Sequence, residues 1–210
     1  NVLAICHKGS KRITRIPQSE YVKIIELSLD EYKDYIIEND LSVKYDVFFH
    51  LAWNGTVGDS RNNTDLQVDN IKFTLDAVEL AKRLGCNTFV GAGSQAEYGR
   101  VEGRLSASTP TNPENGYGIA KLAAGNMSRI RCEQLGIKHI WTRILSVYGP
   151  YDGENSMISV TLKKMRANEE THFTAGEQKW DYLYSEDAAR MMFHIAESGE
   201  SGKVYCLGNG

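Results

Sequence analysis

No block of five or more like charges occurs in the 210 residues, and the formal net charge is only −3. Nucleic-acid binding through bulk charge is thereby excluded. Long apolar runs are absent too, because the longest stretch, 45–53, is broken by Asp46 and His50. A membrane-spanning helix needs about 18 apolar residues, so none is expected and no membrane partner with it. The first residues read as a strand followed by basic residues, not as the apolar core of a cleavable signal. Cysteine is sparse: Cys6, Cys86, Cys132 and Cys206 lie far apart and form no C-x-x-C pair, so no metal site is expected. Single thiols on apolar segments suit a reducing compartment, and the expected location is the cytoplasm. No internal repeat or low-complexity linker divides the chain.

What is present is the composition of one soluble α/β domain, 41% hydrophobic and 24% charged. Short β-branched runs alternate with longer helical periods. Strands are expected at Val2–Cys6, Val22–Leu27, Asp46–Leu51, Thr88–Ala92, Lys138–Leu145 and Lys203–Leu207. Asp46–Leu51 reads as a strand buried on both faces. Helices are expected at Asp30–Asn39, Thr64–Leu84, Tyr117–Leu135 (closed by Gly136), Ser156–Ala167 and Ser185–Glu197. Pro110, Asn112, Pro113 and Asn115 make 100–116 a loop. This alternation predicts a doubly wound parallel sheet between two helical layers, a Rossmann-type three-layer αβα fold. Ligands of such sheets bind at the carboxyl ends of the strands.

The strongest chemical signal is Tyr117-Gly-Ile-Ala-Lys121. Positions i and i+4 share a helical face. An ammonium there would lower the tyrosine pKa from about 10 toward neutrality and make it an acid/base near pH 7. Ser94 follows the strand Thr88–Ala92 on a glycine-flanked turn, where its hydroxyl suits a substrate oxygen. Asp46–Leu51 runs into Ala52-Trp53-Asn54-Gly55, where the small Ala52 admits a flat cofactor to the backbone.

The ordered motifs F-H-L-A, G-S-x-x-x-Y-G, Y-G-I-A-K, R-I-L-S-V-Y-G-P and D-Y-L-Y-S-E-D-A-A resemble the extended short-chain dehydrogenase/reductase superfamily. The likeness is to its nucleotide-sugar epimerase/dehydratase branch and runs from Val2 to Gly208. It implies Ser94, Tyr117 and Lys121 as a catalytic trio. Tyr117 would be acid/base on a sugar oxygen, Lys121 would bond the nicotinamide ribose, and Ser94 would orient the substrate. It further implies a dinucleotide against His7, Lys8, Ser28, Leu29, Leu51, Ala52, Trp53, Asn70, Ala92, Gly93, Leu145 and Val147, besides Tyr117 and Lys121. Substrate contacts are implied at Trp53, Asn54, Ser94, Gln95, Ser146, Trp180 and Tyr184. Members often dimerise through two long helices, here Thr64–Leu84 and Tyr117–Leu135, so a homodimer is expected.

Departures from the family are informative. No G-x-x-G-x-x-G turn to hold a pyrophosphate is present. Val2–Cys6 matches the family's second strand, so a βα unit of about 25–30 residues is expected ahead of Asn1. Without the central first strand the sheet is expected to carry a gap. The smaller substrate-binding part is expected to begin within 150–185 and to continue past Gly210. After the first strand, His7-Lys8-Gly9-Ser10-Lys11-Arg12 holds no acid for a ribose 2′-OH, and its basic and hydroxyl residues suit a 2′-phosphate. NADP(H) is therefore expected ahead of NAD(H). Gln95 and Ala96 stand where dehydratases carry an Asp-Glu pair, so no 4,6-dehydration is expected; Glu97, one place on, is expected to point elsewhere. His50 reads as a core histidine, and Asn70 reads most simply as a surface residue of its helix. An epimerase or a 4-keto-sugar reductase is the expected enzyme. The competing reading is a non-catalytic dinucleotide-binding redox sensor, against which the retained Tyr117 and Lys121 argue.

Overall fold

The computed structural model describes residues 1–36 and 44–210. Its strands are β1 (Val2–Cys6), β2 (Val22–Glu26), β3 (Val47–His50), β4 (Thr88–Ser94), β5 (Lys138–Ile144), β6 (Ser146–Tyr148), β7 (Tyr182–Tyr184) and β8 (Lys203–Leu207). The α-helices are α1 (Thr64–Arg83), α2 (Gly116–Leu135), α3 (Met157–Arg166) and α4 (Ser185–Ser198). Every strand pair is parallel. One sheet runs β3-β4-β5-β8; β1-β2 and β6-β7 are separate pairs. No ladder joins β1 to β3 among the described residues, which is the expected gap.

The central strand β4 shows why both helical layers are needed. Phe89 is buried with Ala77, Val78 and Leu80 of α1, while Val90, one residue on, is buried with Ala188, Met192 and Ala196 of α4. Successive side chains of a strand point to opposite faces, so each layer takes one. Phe48, Phe89 and His139 form a stacked row across β3, β4 and β5, with centroids 5.8 Å and 6.1 Å apart.

Helix α2 begins at Asn115, whose side chain accepts from the Gly118 N–H at 2.8 Å. It ends at Gly136, which takes the left-handed conformation (φ 66°) that residues other than glycine rarely adopt. Between those caps Gly125 faces β5 so closely that an added Cβ would lie 2.7–2.9 Å from the Trp141 indole. That close approach brings the first turns of α2, with Tyr117 and Lys121, down onto the end of β4.

Several expectations shift. Strand β3 is buried on one face only: Phe48 and His50 are buried and Phe49 is exposed. Strand β4 runs two residues further than expected, so Ser94 is its last residue. The pair β6-β7 was not foreseen, because each strand has only three residues, too few to show a period. The helix expected at Asp30–Asn39 is a short 3-10 turn, Leu29–Glu31, in its described part, and its end from 37 lies outside the described residues.

Candidate active site

Ser94 closes β4 and caps the short 3-10 turn Gln95–Glu97, its hydroxyl accepting from the Ala96 N–H at 3.2 Å. The turn is held from inside by Glu97, which is fully buried. Its carboxylate accepts from the Ser94 N–H (2.8 Å), Trp141 Nε1 (3.0 Å) and Arg143 Nε (2.8 Å). It does point away from the cavity, as expected, but into a buried ion pair that sequence reasoning missed. The missed signal was Arg143 itself: a cation inside an otherwise uncharged strand interior needs an acid within reach.

Tyr117 lies in the first turn of α2, beside the Ser94 hydroxyl. Burial raises its pKa above the ordinary phenol value, while the Ser94 contact and the Arg61 charge pull it down. Lys121 is buried one turn on. Its Nζ donates to Ala92 O at 2.6 Å and stands 3.8 Å from the Trp53 ring centroid but 5.8 Å from that of Tyr117. Burial brings the lysine down to about 7, with the Glu97 charge opposing. The expectation that Lys121 draws the tyrosine toward neutrality is therefore corrected: its ammonium is aimed at a carbonyl and an indole, and desolvation dominates both groups.

The loop after β3 is fixed by α1. Asn70 is buried rather than on the helix surface, with its amide accepting from Asn54 N and donating to Asn54 O, both at 2.9 Å. Gln67 accepts from Trp53 Nε1 (2.9 Å) and donates to Gly55 O (2.9 Å) and Ser60 O (3.0 Å). Asn70 thus holds the loop through its own amide. Leu51 and Ala52 are exposed at the end of β3. His50 is a core histidine, its Nε2 3.3 Å from Thr74 Oγ1, and burial lowers its pKa to about 3.

At the other candidate positions, Ser94, Gln95, Leu145 and Trp180 line a cavity of about 990 Å³. Ser146 links two of them, accepting from Trp180 Nε1 at 2.6 Å and from Gln95 Nε2 at 3.4 Å. Tyr182 lines the cavity, whereas Tyr184 sits at the start of α4 and packs against Tyr148. Val147 is exposed on β6 and Gly93 is buried in β4. Beyond β1, Lys8 pairs with Glu31 at 2.6 Å, and Glu26 accepts from the Gly9 N–H at 2.7 Å. His7 is exposed; Ser28 caps the turn that supplies Glu31, and Leu29 is buried in the core, so its side chain is not free for a cofactor. Among the described residues no group of acids, histidines or cysteines could hold a metal, and no helix is long and apolar enough to cross a membrane.

Comparison with known proteins follows the same outline. An uncharacterized UDP-glucose epimerase of Bacillus subtilis is 28% identical over 148 residues, 69% of this chain and 47% of the relative. The chain thus spans about half the length of that curated relative. The fold superposes on the UDP-glucuronic acid 4-epimerase of Bacillus cereus, solved with NAD and a fluorinated UDP-sugar, with a TM-score of 0.80 at 21% identity, covering 99% of this chain and 69% of the other. The RMD protein of Pseudomonas aeruginosa, solved with NADPH, gives 0.77 at 18% identity, covering 99% and 78%. The family model that describes NAD dependent epimerases and dehydratases matches residues 2–208, and a match over nearly the whole chain makes this protein a member of the NAD dependent epimerase/dehydratase family.

Proposed function

We propose that the intact protein interconverts or reduces nucleotide sugars by hydride transfer at a sugar carbon, with Tyr117 as the acid/base. The observation that carries this reading is the meeting of Tyr117, the Ser94 hydroxyl and the buried Lys121 at the carboxyl end of β4. Lys121 has one protein acceptor for its three N–H donors among the described residues. A buried ammonium with donors to spare suits a ligand that presents hydroxyls, so these residues fit a nicotinamide ribose. The cofactor, when bound, supplies or takes the hydride. The chain's own part is to orient the sugar oxygen through Ser94 and move its proton to or from the Tyr117 oxygen. Gln95 turns toward Ser146 and Glu97 is locked on Arg143, so neither supplies the acid that removes water, which supports epimerase or reductase over dehydratase.

Tyr117→Phe in the intact protein separates enzyme from redox sensor. The enzyme reading expects turnover of a nucleotide-sugar panel to fall by two or more orders of magnitude while NAD(P)H binding stays within about threefold. Unchanged turnover defeats it. Consumption of reduced nicotinamide during turnover marks a reductase; its constancy marks an epimerase.

For the cofactor, Lys8 is already paired with Glu31, but Lys11 and Arg12 have no acidic partner among the described residues and are exposed. These two support NADP(H) over NAD(H). Titration of both follows fluorescence, and tighter NAD(H) binding rejects the preference. The exposed Met127 and Ile130 of α2 and Val68 of α1 support a homodimer through these helices. The exposed Met157, Leu162 and Met165 of α3 support the start of the substrate-binding part within 150–185. A cytoplasmic location accords with the free thiols.

A further inference from the structure

We propose that Arg61, not Lys121 alone, supplies the positive charge that lets Tyr117 ionise, acting through the tyrosine ring from the loop between β3 and α1. The inference rests on the reading of Tyr117 as acid/base. The Arg61 guanidinium carbon lies 4.3 Å from the Tyr117 ring centroid, against 5.8 Å for Lys121 Nζ. A cation over a ring face is attracted to the phenol and more strongly to the phenolate, whose charge spreads into the ring. Lys121 spends its nearest interactions on Ala92 O and Trp53.

The placement of Arg61 is built, not incidental. Gln67 ties the loop to α1 through Gly55 O and Ser60 O, and Arg61 itself donates to Thr56 O at 3.1 Å. The loop is also seated on the helix that carries the tyrosine: Asn62 accepts from the Gly116 N–H at 3.0 Å, and a Cβ on Gly116 would reach Arg61 O at 3.0 Å. Arg61 lines the same cavity as Ser94. Among the described residues the charged groups around Tyr117 are Arg61 from the loop, Lys121 from its own helix and Glu97 from the turn after β4, with the uncharged Ser94 beside it. Burial and the fixed, buried Glu97 oppose ionisation, and Arg61 is the charged group that works against them at the ring.

The test reads the tyrosine directly. The intact protein is labelled at the tyrosine Cζ carbon, and Tyr117 is assigned by the signal lost in Tyr117→Phe. Its titration is followed in the wild type, Arg61→Lys, Arg61→Gln and Arg61→Met. We expect both neutral variants to raise the Tyr117 midpoint by on the order of one pH unit, with Arg61→Lys keeping most of the wild-type value. The pH limb of kcat/KM that needs phenolate should move by the same amount. An unmoved midpoint in a folded neutral variant overturns the proposal, as does Arg61→Lys matching the neutral pair. Because the NMR titration needs no turnover, it stands apart from the fate of the enzymatic reading, which Tyr117→Phe decides. Two neutral variants of different shape leave the answer open to reading if one fails to fold.

Discussion

Glu97 and Arg143 form an ion pair of 2.8 Å inside the molecule, with their side chains 0% and 8% exposed. The pair joins the turn after β4 to the end of β5, where Gly93 and Arg143 are partners in register. Glu97 also holds the Ser94 N–H, so a buried charge pair underlies the placement of the serine hydroxyl.

Removing one member strands the other as a buried, unpaired charge. Glu97→Ala should cost about 3–5 kcal/mol, the usual loss for a broken buried pair. Urea unfolding should show it as a lower midpoint at constant slope. Replacing both, as Glu97→Leu with Arg143→Met, should cost less than the sum of the single changes, because no charge is left unpaired. An additive double variant would show that the two do not act as a pair.

The roles of Ser94, Tyr117 and Lys121 as a trio came from the family resemblance, but the placing of Tyr117 and Lys121 on one helical face and of Ser94 at a strand end was legible because these relations are local. The layered fold was legible for the same reason, from alternating strand and helix periods. Glu97 and Arg61 were not, since their meaning depends on distant partners. Glu97 acquires its role from Arg143, 46 residues away, through strand register. Arg61 acquires its own from the seating of one loop on another helix. The depth of Lys121 was not legible for a related reason: spacing places two groups on a face but does not report how deeply either is buried.

Gly93 is required by packing more than by conformation. An added Cβ there would collide with Trp141 Nε1 and with Glu97 Oε1. Gly93→Ala should therefore lower stability by about 1–3 kcal/mol, as overpacking does in a tight interior. It should also lower kcat more than it raises KM for the intact enzyme, because the displaced carboxylate is the one that fixes Ser94. A variant with wild-type kinetics would separate the Glu97 network from catalysis.

His139 is stacked between Phe89 and Trp141, with Nε2 3.0 Å from Ser128 Oγ and with Nδ1 buried and unpartnered. Burial lowers its pKa to about 4 from an ordinary 6.5. Between those values the unfolded chain binds a proton that the native state refuses, so stability falls as pH drops from 6.5 toward 4. His139 should contribute up to about 1.4 kcal/mol per pH unit to that slope. In His139→Leu, unfolding followed from pH 7 to pH 4 should show a slope shallower by close to one proton, and His50 should account for much of the remainder. An unchanged slope would mean that His139 is protonated in the native state.

Lys121 predicts the opposite end of the pH scale. Its native pKa is brought to about 7 from an ordinary 10.5, chiefly by burial. Below pH 7 both states carry the proton, and the buried ammonium imposes its full penalty on the native state. From about 7 to 10.5 the unfolded chain still holds a proton that the native state has released, so this group makes stability rise with pH. Lys121→Met removes the term. The variant should be more stable than the wild type by a few kcal/mol at pH 6, and the difference should shrink steadily toward pH 10. The same variant should lose turnover, which would make the lysine a residue kept at a cost in stability. Equal stability at pH 6 would show that Lys121 reaches water in the native state, and the argument for its spare donors would fall with it.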